Sequence, residues 1–183
     1  MSPGPGTVYF HMVLNSPGAR PARFEGYGPE GAAVLIDCLT EDPERERAQL
    51  KRLFREYGGH LAAEGAVSYL FVRSGRMRFA PGAERVALGQ VALAAGAEEV
   101  LDAGEELDVF TDPEDFEVVR AALARHGWVP RAADITERAA LTVALAGGPA
   151  RRFRALLAAV TELDGVRHVY SNVTLSDPLL ARV

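Results

Sequence analysis

The chain has 183 residues, a formal net charge of −5 and 48% hydrophobic residues. This hydrophobic fraction is sufficient for a folded core and argues against a disordered chain. The N-terminus lacks a basic start followed by an apolar core, and no apolar run approaches the ~20 residues of a membrane helix. The single Cys38 excludes an internal disulfide. We therefore expect a cytoplasmic protein with no membrane partner.

Acidic residues are unevenly distributed along the chain. Residues 78–138 contain six Arg and thirteen Asp or Glu, whereas the remainder contains fourteen Lys or Arg and twelve acidic residues. The net negative charge argues against a protein that binds polyanions over its whole surface. If the two parts are separate domains, one is acidic and the other slightly basic. The alternative is that the acidic surface only promotes solubility.

The first elements follow residues 1–19, which are rich in Gly and Pro and are expected to form a flexible tail. A short strand from Arg23 leads into a glycine-rich turn, and the apolar run Ala32–Leu39 predicts a buried strand. The tripeptide Asp42-Pro43-Glu44 then provides a helix with an N-cap, a first helical residue and a first-turn acid.

The loop after this helix contains polar residues of interest. Gly58-Gly59 ends the helix, and the β-rich run Ala66–Val72 predicts a further strand. Asp37 and Glu64 are the acids most suited to polar contacts in the core. Glu64 could form a hydrogen-bonded pair with His60 and so order the loop, while Asp37 could equally face solvent from an alternating strand.

Residues 77–138 are predicted to follow the order β-α-β-β-α-β, which is the ferredoxin-like arrangement. The first helix is expected from about Ala83 to Ala95. Asp112-Pro113-Glu114 is expected to cap the second helix as Asp42-Pro43-Glu44 caps the earlier one. The predicted strands are Arg76–Ala80, Glu99–Asp102, Leu107–Thr111 and Trp128–Arg138.

The last segment is predicted to be β-α-β. Its elements are a strand at Ala140–Ala146, a helix from Gly147-Gly148-Pro149 and a strand at Val166–Val173. A segment of about 45 residues is too short for a stable domain of its own. Residues 139–183 are therefore expected to complete residues 20–76 as one discontinuous α+β domain. The ferredoxin-like residues 77–138 would be an insertion into it.

The spacing of Gly26, Gly28 and Gly31 matches the G-x-G-x-x-G pattern of dinucleotide-binding loops. In those loops a helix follows the glycines and its N-terminus faces the pyrophosphate, but here an apolar strand follows. Pro29 also removes one N–H from the loop. A tight turn between strands therefore explains the glycines better, and no cofactor is expected.

Patterns for catalysis and metal binding are missing from the sequence. The four histidines form neither H-x-x-x-H nor H-E-x-x-H, and no G-x-S-x-G occurs. Cys38 lies in an apolar strand, where we expect a small buried side chain. We therefore predict no catalytic residue, no metal site and no enzyme activity.

Basic residues mark two of the predicted helices. If these helices pack side by side on one sheet, their polar faces form a positive surface that could bind phosphates without sequence specificity. The alternative is a solvated helix face in which the cations alternate with Glu44, Glu46 and Glu56. The predicted nucleic-acid-binding or ribosome-binding residues are Arg45, Lys51, Arg52, Arg55, Arg151 and Arg154.

Seven blocks of the sequence, taken in order, resemble the YebC family of gene-expression regulators over residues 23–175. They include Glu25-Gly-Tyr-Gly-Pro-Glu-Gly31, Gly58-Gly-His-Leu61, Thr111-Asp-Pro-Glu-Asp-Phe116 and Val169-Tyr-Ser-Asn172. Two signature loops, Glu25–Gly31 and Gly58–Gly65, are expected to lie near each other at one edge of the domain. The residues singled out in them are Glu25, Gly26, Tyr27, Gly28, Pro29, Gly31, Gly59, Glu64 and Gly65.

The resemblance implies a regulator of transcription or a ribosome-associated translation factor, whose partner is DNA, rRNA or the ribosome. It also implies an α+β domain with an inserted ferredoxin-like domain. Two departures stand out: the basic Gly-His-Ser-Lys-Trp segment and helical bundle of the family are not found here, and Glu30 occupies a position where the family usually has Gly. The alternatives are a protein-interaction module that uses the acidic inserted domain, and a small-ligand enzyme that uses the glycine-rich turn.

Overall fold

The structure is a computed structural model that describes residues 18–80, 82 and 84–175. Residues 1–17 of the predicted tail and the predicted helix start at Ala83 lie outside the described residues. The described elements, in chain order, are β1 (Arg20–Tyr27), β2 (Ala33–Thr40), α1 (Pro43–Glu56), β3 (His60–Leu61), β4 (Phe71–Phe79), α2 (Arg85–Ala94), β5 (Glu99–Ala103), β6 (Glu106–Thr111), α3 (Phe116–Arg125), β7 (Ala132–Ala139), β8 (Val143–Leu145), α4 (Gly147–Thr161), β9 (Val166–Ser171) and β10 (Val173–Leu175).

Helices and antiparallel sheets together make an α+β fold, as predicted. The chain divides into two compact units: the first ends at Phe71 and resumes at Ala139, and the second comprises Val72–Arg138. No helix within the described ranges is both long and apolar enough to cross a membrane.

The first unit contains a four-stranded sheet in the order β3-β1-β2-β9, in which every neighbouring pair is antiparallel. β8 and β10 form a separate parallel pair. The helices α1 and α4 contact each other and pack against one face of the larger sheet. Their buried side chains meet those of β1, β2 and β9 in one core, which includes Phe24, Val34, Ile36, Leu50, Phe54, Phe153, Leu156 and Val160.

The predicted buried strand is confirmed as β2. Side chains from Ala33 to Ile36 are fully buried because both faces of the strand are covered. The second face packs in a smaller cluster with Val67, Phe71 and Tyr170. A strand covered on both faces needs a continuous apolar run, which explains why this segment does not alternate.

The start of α1 is also confirmed. The Asp42 carboxylate accepts the Arg45 N–H at 3.0 Å, and Pro43 is the first helical residue. Both features satisfy or remove donors that a helix N-terminus leaves unpaired. The chain leaves the helix through Gly58, whose φ of 84° is favourable only for glycine.

The second unit follows the order β-α-β-β-α-β, and its sheet order is β5-β6-β4-β7. α2 and α3 cover one face of this sheet. The core between them contains Met77, Phe79, Leu88, Leu107, Val109, Val119 and Leu123.

Several predicted elements differ from the structure. Residues 66–70 form a bend and a 3₁₀ segment instead of the start of a strand, and β7 begins at Ala132, not at Trp128. Asp112 does not cap α3, because its carboxylate accepts the Glu114 N–H at 2.9 Å in a local turn and the helix begins only at Phe116. The predicted strand over residues 140–146 is limited to the three residues of β8.

Candidate functional site

The two signature loops are joined by one buried carboxylate. Glu25, in β1, is 3% exposed. Its oxygens accept three backbone N–H groups, from Gly65 at 2.9 Å, Val67 at 2.6 Å and Ser68 at 2.9 Å. The expected proximity of the loops is confirmed, but Glu64 is exposed, so the acid that orders this segment is Glu25.

The environment of Glu25 keeps it ionised at neutral pH. Burial raises the pKa of the carboxyl group, but the backbone N–H bonds from Val67, Gly65 and Ser68 lower it further than burial raises it. The resulting pKa lies below the usual glutamate value. Several N–H donors converging on one carboxylate stabilise its charged form.

The loop glycines allow the backbones to approach closely. A Cβ atom on Gly59 would lie 2.2 Å from the Tyr27 carbonyl oxygen, and one on Gly26 would lie 2.5 Å from the Phe54 ring. The Tyr27 hydroxyl also donates to the Ala66 carbonyl oxygen at 2.7 Å. Gly26, Tyr27 and Gly59 therefore contribute to the packing of the two signature loops.

The Gly26–Gly31 turn differs from a dinucleotide-binding loop. A 3₁₀ turn over Pro29–Gly31 leads directly into β2, so a strand follows the glycines where a dinucleotide-binding loop has a helix. A Cβ on Gly28 would lie 3.0 Å from the Phe153 ring, which shows that this position is packed against α4. Glu30 has a φ of 57°, in the left-handed region that favours glycine.

Asn172 makes structural hydrogen bonds, although the sequence analysis names it only as the last residue of one family block. Its side-chain oxygen accepts the Ala33 N–H at 2.8 Å, and its backbone oxygen accepts the Val143 N–H at 2.7 Å. Asn172 therefore connects the start of β2 to β8. The sequence signal was its place at the end of the Val169-Tyr-Ser-Asn172 block.

The predicted basic residues lie on the outer faces of α1 and α4. Arg45, Lys51, Arg52, Arg55 and Arg151 are exposed, and Arg154 is half-buried. α1 carries five basic and three acidic side chains, and α4 carries three basic and no acidic ones. None of these six forms an ion pair within the described part of the chain, and the two helices pack side by side. We name this surface the basic helix face.

A cavity of about 430 Å³ opens beside the first turns of α1. The charged side chains of its lining are five acids and two arginines: Glu41, Asp42, Glu46, Glu162, Asp164, Arg45 and Arg167. Burial raises the pKa of Glu46; Arg45 opposes this effect, and Asp164 and Asp42 add to it. The Arg45 end of the basic helix face therefore lies beside acidic side chains.

The remaining candidates, Cys38 and Asp37, make contacts that stabilise the fold. Cys38 is buried, and burial raises the pKa of its thiol to about 12, with Glu46 and Asp37 adding to the effect. Asp37 pairs with Arg23 across the β1–β2 ladder at 2.7 Å. No group of three or more metal-ligating side chains occurs among residues 18–80, 82 and 84–175.

Arginines on the sheet of the second unit pair with acids of the same unit. Arg78 donates to both Asp108 oxygens, at 2.7 and 2.6 Å, and this hydrogen-bonded pairing raises the pKa of Arg78 against the opposing effect of burial. Arg138 bonds Glu99 at 2.5 Å and lies 4.7 Å from the Phe110 ring centre. These arginines are engaged by their own unit, in contrast to those of the basic helix face.

The fold and these contacts define an α+β protein of two units, in the first of which the buried Glu25 carboxylate joins two glycine-rich loops. The family described as TACO1/YebC second and third domain matches residues 19–173. The chain therefore belongs to the TACO1/YebC family, and residues 19–173 correspond to its second and third domains.

Individual relatives agree with this assignment. A probable transcriptional regulatory protein of Nitrosococcus oceani is 40% identical over 162 residues, which cover 88% of this chain and 65% of the relative. One from Paracidovorax citrulli is 42% identical over 154 residues, covering 84% and 64%. The chain thus spans about two thirds of the length of these relatives. A conserved hypothetical protein of Aquifex aeolicus has a similar structure, with a TM-score of 0.79, 32% identity, and coverage of 91% of this chain and 70% of the other.

Proposed function

We propose that this protein regulates gene expression by binding nucleic acid or the ribosome through the basic helix face, without catalysis. The observation that carries the proposal is the set of exposed cations on α1 and α4 that have no ion-pair partner among the described residues. Relatives named as probable transcriptional regulatory proteins support the regulatory role. The partners that we propose are DNA, rRNA or the ribosome, and the proposed location is the cytoplasm.

Charge placement explains how an acidic protein could bind a polyanion. A protein with a net charge of −5 is repelled by phosphates at long range. Arg52 and Arg55 lie in the last turns of α1, where Glu56 is the nearby acid of the helix, and Arg151 lies on α4, which has no acidic residue. Unpaired arginines on one face can contact phosphates locally, and such contacts weaken steeply as salt rises.

Co-sedimentation with ribosomes and retention on immobilised RNA and DNA test this function. At low salt we expect the protein to be retained on at least one of these, and to be released as salt is raised. Failure to bind ribosomes, RNA and DNA at low salt would rule out the proposed mode of action.

A second candidate function uses the second unit, which we propose to be an inserted ferredoxin-like domain on the basis of its β-α-β-β-α-β order and its sheet order. This unit is acidic and exposes Val86 (76%), Leu93 (52%) and Val129 (75%). Exposed apolar side chains on an acidic unit favour a protein partner. If V86S/L93S leaves a partner found by affinity capture unchanged, the α2 surface is not its docking site.

A further inference from the structure

The helix α2 exposes an uncharged stripe in the second unit. Val86 and Leu93 are exposed apolar side chains, and the exposed Gln90 lies between them. Their spacing of i, i+4 and i+7 places the three side chains on one face of the helix. Ala94 is the next residue after Leu93 and is also exposed. We name these four residues the α2 stripe.

The opposite face of α2 is apolar as well, because it forms part of the core of the second unit. Leu88 and Ala92 are fully buried there. The one charged residue of the helix is Arg85, which pairs with Asp102 and donates to two backbone carbonyl oxygens of the β5–β6 turn at 2.8 Å. A helix that is apolar on all sides is normally buried. The α2 stripe is therefore suited to a partner that covers it.

The other three α-helices in the described ranges have charged outer faces. α1 and α4 carry the basic helix face, and α3 exposes Glu117, Arg120 and Arg125. Charged and polar side chains are the usual residues on the solvent-facing side of a helix. An exposed apolar patch that polar residues surround is typical of a protein interaction site. The α2 stripe is thus distinguished from the outer faces of the other helices by its composition.

Acidic side chains border the α2 stripe at both ends of the helix. Glu84 precedes α2 and Glu98 follows it, and both are exposed. A Cβ on Gly96, two residues after the helix, would lie 3.9 Å from the carboxylate of the exposed Asp115. Glu84, Glu98 and Asp115 form no ion pair with the side chains that the structure describes. We name these three residues the acidic rim.

The charge of the rim determines which partner is favoured. Arginines of this unit do not neutralise it, because five of the six in residues 78–138 pair with other acids. A second copy of this chain, docked by the same surface, would bring its own acidic rim, and like charges repel. A basic partner, by contrast, can pair with the rim while its apolar side chains cover the stripe.

We propose that the α2 stripe docks an amphipathic helix of a partner protein, whose apolar residues contact Val86 and Leu93 and whose Lys or Arg residues pair with the acidic rim. The inference rests on the second candidate function, protein binding by the second unit, and names the chemistry of the partner. A helix laid along α2 can pack its own i, i+3, i+4 and i+7 residues over a stripe that has helical spacing. Since α2 has three turns, few side chains carry the affinity.

Fluorescence anisotropy with labelled synthetic peptides tests this inference. The basic peptide is about 18 residues long, enough for an isolated helix, with Leu at i, i+3, i+4 and i+7 and Lys at the flanking positions. One control peptide has Glu in place of each Lys, and a second has the same composition as the basic peptide with the Leu spacing scrambled. Neither control peptide should bind as tightly as the basic peptide.

The apolar contact is tested by Val86→Ser against Val129→Ser. These side chains are matched at 76% and 75% exposure. α2 lies over β5 and β6, whereas Val129 precedes β7 at the other edge of the sheet. We expect Val86→Ser to weaken binding of the basic peptide roughly 5- to 30-fold, and Val129→Ser to bind as the wild type does. Because both side chains are exposed, both variants should keep the wild-type melting curve, which circular dichroism checks.

The acidic rim is tested by Glu98→Gln/Asp115→Asn against Glu56→Gln/Glu64→Gln, which removes two exposed charges from the first unit. The rim variant should bind the basic peptide roughly 2- to 10-fold more weakly at low salt. This difference should disappear in about 1 M salt, where the Debye length is about 3 Å. The first-unit variant should bind as the wild type does at either salt concentration.

Three results would overturn the proposal. The basic and acidic peptides could bind alike, Val86→Ser could keep the wild-type affinity, or sedimentation could show a dimer that Val86→Ser dissociates, which would assign the stripe to a second copy. Affinity capture with V86S/L93S tests the second candidate function separately. A captured partner that depends on these residues but has no basic helix would leave that function standing and refute the inference.

Discussion

The Val67 N–H donates to Glu25 Oε2 at 2.6 Å, although the two residues are 42 positions apart. This is the shortest of three backbone bonds to the same carboxylate. Glu25 thereby fixes the loop that follows β3 against the sheet, while Gly59, just before β3, lets the chain pass close to the Tyr27 carbonyl oxygen. The two signature loops are therefore packed against each other.

Replacing Glu25 tests the importance of this contact for stability. An amide side chain has one oxygen acceptor and places an NH₂ group where N–H donors converge, so buried donors lose partners in Glu25→Gln. We expect the free energy of unfolding to fall by about 2–4 kcal/mol. Urea denaturation followed by far-UV circular dichroism measures the change. Glu64→Gln, on an exposed side chain in the same loop, should change it by less than about 0.5 kcal/mol.

The stabilisation by Glu25 should depend on pH. Because the folded-state pKa of Glu25 is lowered, its contribution is complete above the ordinary glutamate pKa of about 4.3 and is lost as pH falls through the folded-state value. The difference in unfolding free energy between wild type and Glu25→Gln should therefore be constant from pH 7 to about 5 and shrink in more acidic solution. A difference that grows on acidification would contradict this. Glu46, whose pKa is raised, affects both proteins alike and cancels in the comparison.

Much of the first unit follows from local sequence patterns. The apolar run Ala32–Leu39 predicts a buried strand. Asp42 with Pro43 predicts the start of α1, because capping depends on neighbouring residues only. The role of Glu25 does not follow, because an acid in an alternating strand normally faces solvent. Its partners are backbone N–H groups about 40 residues away, which no side-chain pattern marks.

The same long-range contact explains the main error in the predicted elements. Ala66–Val72 has the composition of a strand, and Val67 and Phe71 are indeed buried. The N–H groups of Val67 and Ser68, however, donate to Glu25 and not to a neighbouring strand. The arginines of α1 and α4 were predictable as a surface from helical spacing, but the exposure of Val86 and Leu93 on α2 was not.

The close approach at Gly59 should not tolerate a side chain. A Cβ there would lie 2.2 Å from the Tyr27 carbonyl oxygen and 2.8 Å from the Gly28 Cα, and both are backbone atoms that cannot rotate away. Gly59→Ala should lower the free energy of unfolding by about 2–4 kcal/mol. Gly148→Ala is the matched control. Its nearest neighbour would be the end of the Arg152 side chain at 3.6 Å, so stability should be unchanged or rise by up to about 1 kcal/mol.

Glu30 offers the opposite test, because its backbone is strained and its side chain is exposed. Glycine reaches a φ of 57° without the steric penalty that a Cβ atom creates, although it loses more backbone entropy on folding. We expect Glu30→Gly to raise the free energy of unfolding by about 0.5–1 kcal/mol. Glu30→Ala keeps the strain and should leave it within about 0.5 kcal/mol of wild type. Thermal denaturation of the three proteins checks the order, and a less stable Glu30→Gly would show that the turn is not strained.

The most direct test of nucleic-acid binding by the basic helix face is the salt dependence of affinity in two matched variants. Arg52→Gln/Arg55→Gln removes two exposed charges from α1, and Arg120→Gln/Arg125→Gln removes two from the outer face of α3. If Arg52 and Arg55 both contact phosphates, the slope of log K against log salt should become shallower by roughly 1.4–1.8 in the α1 variant, the value for two lost contacts. The α3 variant should keep the wild-type slope. Equal slopes in all three proteins, or a change only in the α3 variant, would contradict binding through the basic helix face.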